Sequence, residues 1–192
     1  MCGVEGGCFV YVSALALPVP AVALLQSNGG QQETVLVTES GNHRVSQFAL
    51  DGTFVGIFAG TGKEVSGNGE FYSPQGITVL GSSGEVAVAD RFNNRVQIFD
   101  SEGNYKRQFG TEGTEEDGQL YTPSGLASDA HGNLLVVDDT NRLQVFNPEG
   151  KHLCTRSDLG LHGGLKGIAW STGGEIAVAN GGANKALVWH RA

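Results

Sequence analysis

The chain has 192 residues, enough to bury a core and in keeping with one domain spanning residues 1–192. Its 12 basic and 20 acidic residues leave a formal charge of -8, which disfavours nonspecific attraction to nucleic-acid phosphates or anionic membrane surfaces. Three cysteines (Cys2, Cys8, Cys154) with no C-x-x-C pair exclude a disulfide framework or a zinc knuckle built from cysteine alone, and point to a reducing, cytoplasmic setting. Thirty glycines against five prolines, spread over turn positions, indicate many short chain reversals of an all-β array.

The N-terminal stretch from Cys8 to Leu25 is apolar enough to imitate a signal peptide or a membrane span. No Lys or Arg precedes it, Glu5 stands where positive charge is expected, and Pro18 and Pro20 interrupt a spanning helix, which leaves secretion as the minority reading. Within it CFVYVS (8–13) has the composition of a strand without a partner of its own. Next come PAVALL (20–25), TVLVTE (34–39), RVSQFAL (44–50) and TFVGIF (53–58), with residues 27–32 as a hairpin loop. The clearest unit follows, GITVL, EVAVAD, RVQIFD and NYKRQF between Gly76 and Phe109, its runs separated by Gly, Ser and Asn clusters that read as hairpin turns. SGLAS, NLLVVD, RLQVFN and KHLCT repeat the order from Ser124 to Thr155, and KGIAW, EIAVAN and KALVWH repeat it once more without an outer strand.

The register of the repeat is set by VTESGNHRVSQF (37–48), VADRFNNRVQIF (88–99), VVDDTNRLQVF (136–146) and VANGGANKALVW (178–189), about 42 to 51 residues apart. That period predicts blades of a β-propeller, each a four-stranded antiparallel sheet, at about 20–60, 74–110, 123–156 and 164–190. Two arrangements are open at this point. The strand at Cys8–Ser13 completes the last blade and closes a four-bladed ring, or the blades form an open arc of a larger ring, with self-association as its corollary.

The GxFxxP-type lead-in (GEFYSP at 69–74, GQLYTP at 118–123 in related form), the GI strand, the VAD strand, the N-x-R-V turn and the following (V/I)F strand resemble, in combination, the NHL-repeat family over about Pro20 to Trp189. The resemblance implies a propeller, in the family typically six-bladed, that serves mostly as a binding platform. Some members that carry ubiquitin-ligase modules bind RNA through a basic face. This chain has no RING cysteines and is acidic, so nucleic acid ranks low as a partner.

Each copy places an acid at the end of one strand and a base at the start of the next: Glu39 with Arg44, Asp90 with Arg95, Asp138 with Arg142, and Asn180 with Lys185 in the last. Such pairs reach across a turn, and their recurrence marks them as structural staples, with Asn42 or Asn93 taking the unusual turn conformation. The same turns and the long connections between blades share one face, which is expected to carry His43, Tyr72, Arg91, Phe92, Tyr121 and Asp139. Phe92 at a hairpin tip, beside Arg91, reads either as an interface anchor or as packing on the neighbouring turn. Tyr72 and Tyr121 recur two residues before a proline, which favours packing.

No catalytic residue, metal ligand or cofactor is assigned. Glu115, Glu116 and Asp117 lack the D-x-D-x-D-G spacing of a calcium loop, the histidines are scattered, and there is no G-x-S-x-G elbow, phosphate loop or dinucleotide fingerprint. The resulting expectation is a noncatalytic binding or scaffold module for a protein or peptide partner, away from the membrane. Its alternatives are a metal-dependent lyase or hydrolase acting in the axial channel, as in some related propeller folds, and an RNA-binding propeller.

Overall fold

The computed structural model describes residues 21–26, 33–81, 83–157, 164–181 and 185–189. The strand expected at Cys8–Ser13, the loop expected at residues 27–32, Cys2, Cys8, His162 and His190 lie outside them.

Four antiparallel sheets follow one another in chain order, and each strand pairs with the next in sequence. Blade 1 contains β1 (Val22–Leu25), β2 (Thr34–Glu39), β3 (Arg44–Ala49) and β4 (Phe54–Ala59); blade 2 contains β5 (Pro74–Leu80), β6 (Glu85–Asp90), β7 (Arg95–Phe99) and β8 (Tyr105–Phe109). The connection to blade 3 carries a short parallel pair absent from the sequence reading, β9 (Thr111–Glu112) with β10 (Gln119–Leu120). Blade 3 contains β11 (Gly125–Ser128), β12 (Leu134–Val137), β13 (Leu143–Phe146) and β14 (His152–Arg156). Blade 4 has three strands among the described residues, β15 (Leu165–Trp170), β16 (Ile176–Asn180) and β17 (Lys185–Trp189). The described residues form a β-propeller of four blades.

Alternation along the strands makes each middle blade apolar on both faces, because each is covered from both sides. Between blades 1 and 2, Leu25, Leu36, Val45 and Phe58 meet Phe71, Ile77, Val86, Val88 and Phe99. Between blades 2 and 3, Ala87, Ala89, Val96 and Ile98 meet Leu126, Leu134, Val136 and Phe146. A third layer sets Leu135, Val137 and Leu143 against Leu165 and Val178. The inner strands pack in the order β1, β5, β11, β15, while β15 and β1 make no comparable contact among the described residues.

Gly76 permits that close approach of inner strands. A Cβ there would lie 2.5 Å from the Ser124 carbonyl oxygen and 2.8 Å from the Leu126 nitrogen, so only glycine fits against the backbone of β11. The four inner strands line a channel of about 460 Å³, walled by small residues such as Ala21, Thr78, Ser124 and Ala127, with Lys166 and Trp170 from blade 4. No helix among the described residues is long and apolar enough to cross a membrane.

Candidate binding face

The turns between the second and third strands of the blades build this face. In blades 1 and 2 they are single 3₁₀ turns, Ser40–Asn42 and Arg91–Asn93, each closed by a left-handed residue. That residue is His43 (φ 49°) or Asn94 (φ 52°), and Asn141 (φ 62°) takes the part in the shorter turn of blade 3. The strained conformation expected at Asn42 and Asn93 therefore falls one residue later, because the 3₁₀ turn occupies three residues before the chain reverses. Asn42 and Asn93 instead donate their amides to Glu39 and Asp90.

Acid and base meet across all three turns: Arg44 Nε to Glu39 at 3.0 Å, Arg95 Nε to Asp90 at 2.7 Å and Arg142 Nη2 to Asp138 at 2.8 Å. The arginines reach further than a local staple. Arg95 Nη2 donates to the carbonyls of Gly67 and Glu70, and Arg142 donates to those of Gly113, Thr114 and Gln119, so each holds the long loop that leads into its own blade. Gln97 and Gln144 complete this grip, accepting from the amides of Gly69 and Gly118 and donating to the carbonyls of Glu70 and Gln119. Burial pushes the Asp90 carboxyl above its ordinary pKa against the opposing pull of the Tyr72 amide, Asn93 and Arg95.

The left-handed residues also join neighbouring blades. The Ser73 amide donates to His43 Nδ1 at 3.0 Å, the Thr122 amide to Asn94 Oδ1 at 2.8 Å and the Gly164 amide to Asn141 Oδ1 at 2.9 Å. His43 is thus engaged in the joint between blades 1 and 2 through its ring nitrogen, a use not legible from its turn position.

The other expected face residues form one chain across three blades. Phe92 stacks edge-on against Tyr72 with ring centroids 4.9 Å apart, and Tyr72 meets His43 at 5.7 Å. The Arg91 guanidinium lies 5.0 Å from the Phe92 ring centre and donates to Asp139 Oδ2 at 2.8 Å. Lys166, absent from the sequence-based set, donates to Asp139 Oδ1 at 2.7 Å and also lines the channel. Burial works to raise the Asp139 pKa, and Lys166 and Arg91 together outweigh it, leaving the group below the usual aspartate range. Backbone bonds fix the tips to the loops, from the Phe92 amide to the Tyr72 carbonyl and from the Asp139 amide to the Tyr121 carbonyl. Phe92 and Tyr121 each remain 43% exposed.

The described lining of the channel contains no carboxylate, imidazole or thiol, and no group of three His, Cys, Asp or Glu among the described residues could hold a metal ion. In the acidic loop, Asp117 accepts a hydrogen bond from Thr155.

A family model described as the NHL repeat matches residues 71–99. Mouse NHL-repeat-containing protein 4 is 31% identical over 108 residues, covering 54% of this chain and 73% of that protein. The Drosophila melanogaster protein brain tumor is 36% identical over 86 residues, 43% of this chain and 8% of that protein. Xenopus laevis peptidyl-glycine alpha-amidating monooxygenase A is 34% identical over 98 residues, 47% of this chain and 10% of that protein, so the matched region is a small part of both longer relatives. Among solved structures, a protein of unknown function from Bacteroides thetaiotaomicron superposes with a TM-score of 0.67 at 17% identity, over 88% of this chain and 46% of that one.

Proposed function

The chain belongs to the NHL-repeat family, and from that premise we propose that it is a noncatalytic binding module holding a protein or peptide partner on the face built by its turns. The observation that carries this reading is the continuous row His43, Tyr72, Phe92, Arg91, Asp139, which spans blades 1 to 3 and leaves an aromatic ring exposed beside a guanidinium. Exposed aromatics next to arginine are the side chains that anchor protein interfaces. A rigid backbone under them lowers the cost of ordering on binding, since both turn tips are already tied to the neighbouring loops.

The channel supports this choice over an enzyme. Its described walls offer hydroxyls, one lysine and backbone, without the carboxylate, imidazole or thiolate that metal-assisted chemistry draws on. RNA ranks below a protein partner because two cations of this face, Arg91 and Lys166, are both engaged by Asp139.

Quantitative affinity capture with the full chain tests the reading. Wild type, Phe92→Ala, Arg91→Ala and the outer-strand control Leu153→Ala serve as baits under equal loading. The expected result is a partner set depleted about tenfold or more by the first two variants and retained by the control. The same set recovered equally with all four baits refutes this face.

A further inference from the structure

The two ends of the propeller are the halves of an interface that the molecule already uses three times. In every internal joint, the face of one blade turned toward its successor meets the opposite face of that successor. Among the described residues no blade covers the outer face of blade 1 or of blade 4, so one face of each type stands uncovered there.

The leftover faces match their buried equivalents residue by residue. Val22 pairs with Val37 as Ile77 pairs with Val88 and Leu126 with Val136, yet Val22 is 58% exposed where Ile77 and Leu126 are 5% and 6%. Phe48 occupies the place of Phe99 and Phe146, both fully buried, and is itself only half-buried. Leu24, Phe54 and Ile57 stand exposed on the same side of that sheet. At the other end, Ala177, Ala179, Ala186 and Val188 hold the positions of Ala87, Ala89, Val96 and Ile98, the four residues through which blade 2 receives blade 3. Val188 is 55% exposed where Ile98 is fully buried. One end is large and apolar, the other small and apolar, as on the two sides of the joint between blades 2 and 3.

We infer that these ends form a head-to-tail interface between two copies of this chain. Blade 4 of each copy receives blade 1 of the other, and a two-fold axis along the channel satisfies both joints at once. The ring then has about eight blades, within the span that propellers adopt. A second copy is the occupant to which the pattern commits because it supplies both missing halves and repeats a contact already formed within the chain.

Sedimentation velocity of the full chain over a dilution series reads the outcome, with Val22→Lys and Ala179→Glu as variants. Wild type is expected at twice the chain mass of 20.1 kDa. Each variant alone is expected at the single-chain mass with an unchanged circular dichroism spectrum, since each breaks both joints of a symmetric pair. An equimolar mixture of the two variants is expected to regain the double mass, because one joint is then unaltered and the other opposes the introduced charges. That recovery separates a specific interface from simple misfolding. A wild-type chain that stays at the single mass at every concentration, as closure within one chain gives, overturns the inference, and so does a mixture that remains single.

Discussion

Replacing Arg95 by alanine tests how the burial of a turn changes the worth of one repeated ion pair. Arg95 has 9% of its side chain exposed and Asp90 none, and removing the guanidinium leaves a carboxylate in the core without its counter-charge and takes one donor from each of the carbonyls of Gly67 and Glu70. Breaking a buried pair from one side costs about 3–5 kcal/mol. For a domain of this size that corresponds to a drop in Tm on the order of 10 °C. In blade 1 the same motif is half open, with Arg44 35% and Glu39 21% exposed, and Arg44→Ala is expected to cost less than about 1 kcal/mol. Urea and thermal unfolding followed by circular dichroism measure both. The double variant Asp90→Asn with Arg95→Met should be closer to wild type than Arg95→Met alone, because the orphaned charge disappears along with its partner. Equal costs at Arg44 and Arg95, or a cost at Arg95 below about 1 kcal/mol, would refute the burial argument.

Two further outcomes follow from the geometry. The hydrogen bond from Arg107, helped by Lys106, holds the Glu85 carboxyl at about 2, below its ordinary 4.5. Its stabilising share is therefore full above pH 4.5 and lost as pH falls toward 2, and Glu85→Gln should flatten the stability profile in that window, removing about 1 kcal/mol at neutral pH once solvent screening of the half-exposed Lys106 is counted. Equilibrium unfolding from pH 2 to 7 checks this. Gly76→Ala drives a methyl group to 2.5 Å from the Ser124 carbonyl oxygen and should cost about 1–3 kcal/mol, whereas Gly41→Ala, with nothing within 4 Å of its added carbon, should fall within about 0.5 kcal/mol of wild type in the same denaturation assay.

Strand positions were legible because they obey a local rule. Alternating apolar residues bounded by Gly and Asn need no knowledge of distant neighbours, so the blade 2 strands run close to their expected bounds. The staples were legible for the same reason, since Asp90 and Arg95 are five residues apart. The rest depended on long-range encounters. Arg95 meets Gly67 across 28 residues and Gln144 meets Gln119 across 25, and nothing in the spacing of either pair announces the contact. Lys166 went unnoticed because its partner Asp139 sits in the preceding blade, 27 residues away. The pair of β9 and β10 is only two residues long on each side and carries no alternation to read.

The side-chain bonds from His43, Asn94 and Asn141 give the propeller a direction. Each turn presents an acceptor that only the following unit can fill, across 30, 28 and 23 residues. A segment running from one proline lead-in to the next carries its own turn, its own acceptor and the amide that serves the unit before it. Whole-unit duplication or loss keeps donors and acceptors matched at every seam, while a cut within a unit strands a left-handed residue without its amide. The seam bonds of this fold therefore count in whole units, each blade contributing one acceptor forward and one donor back.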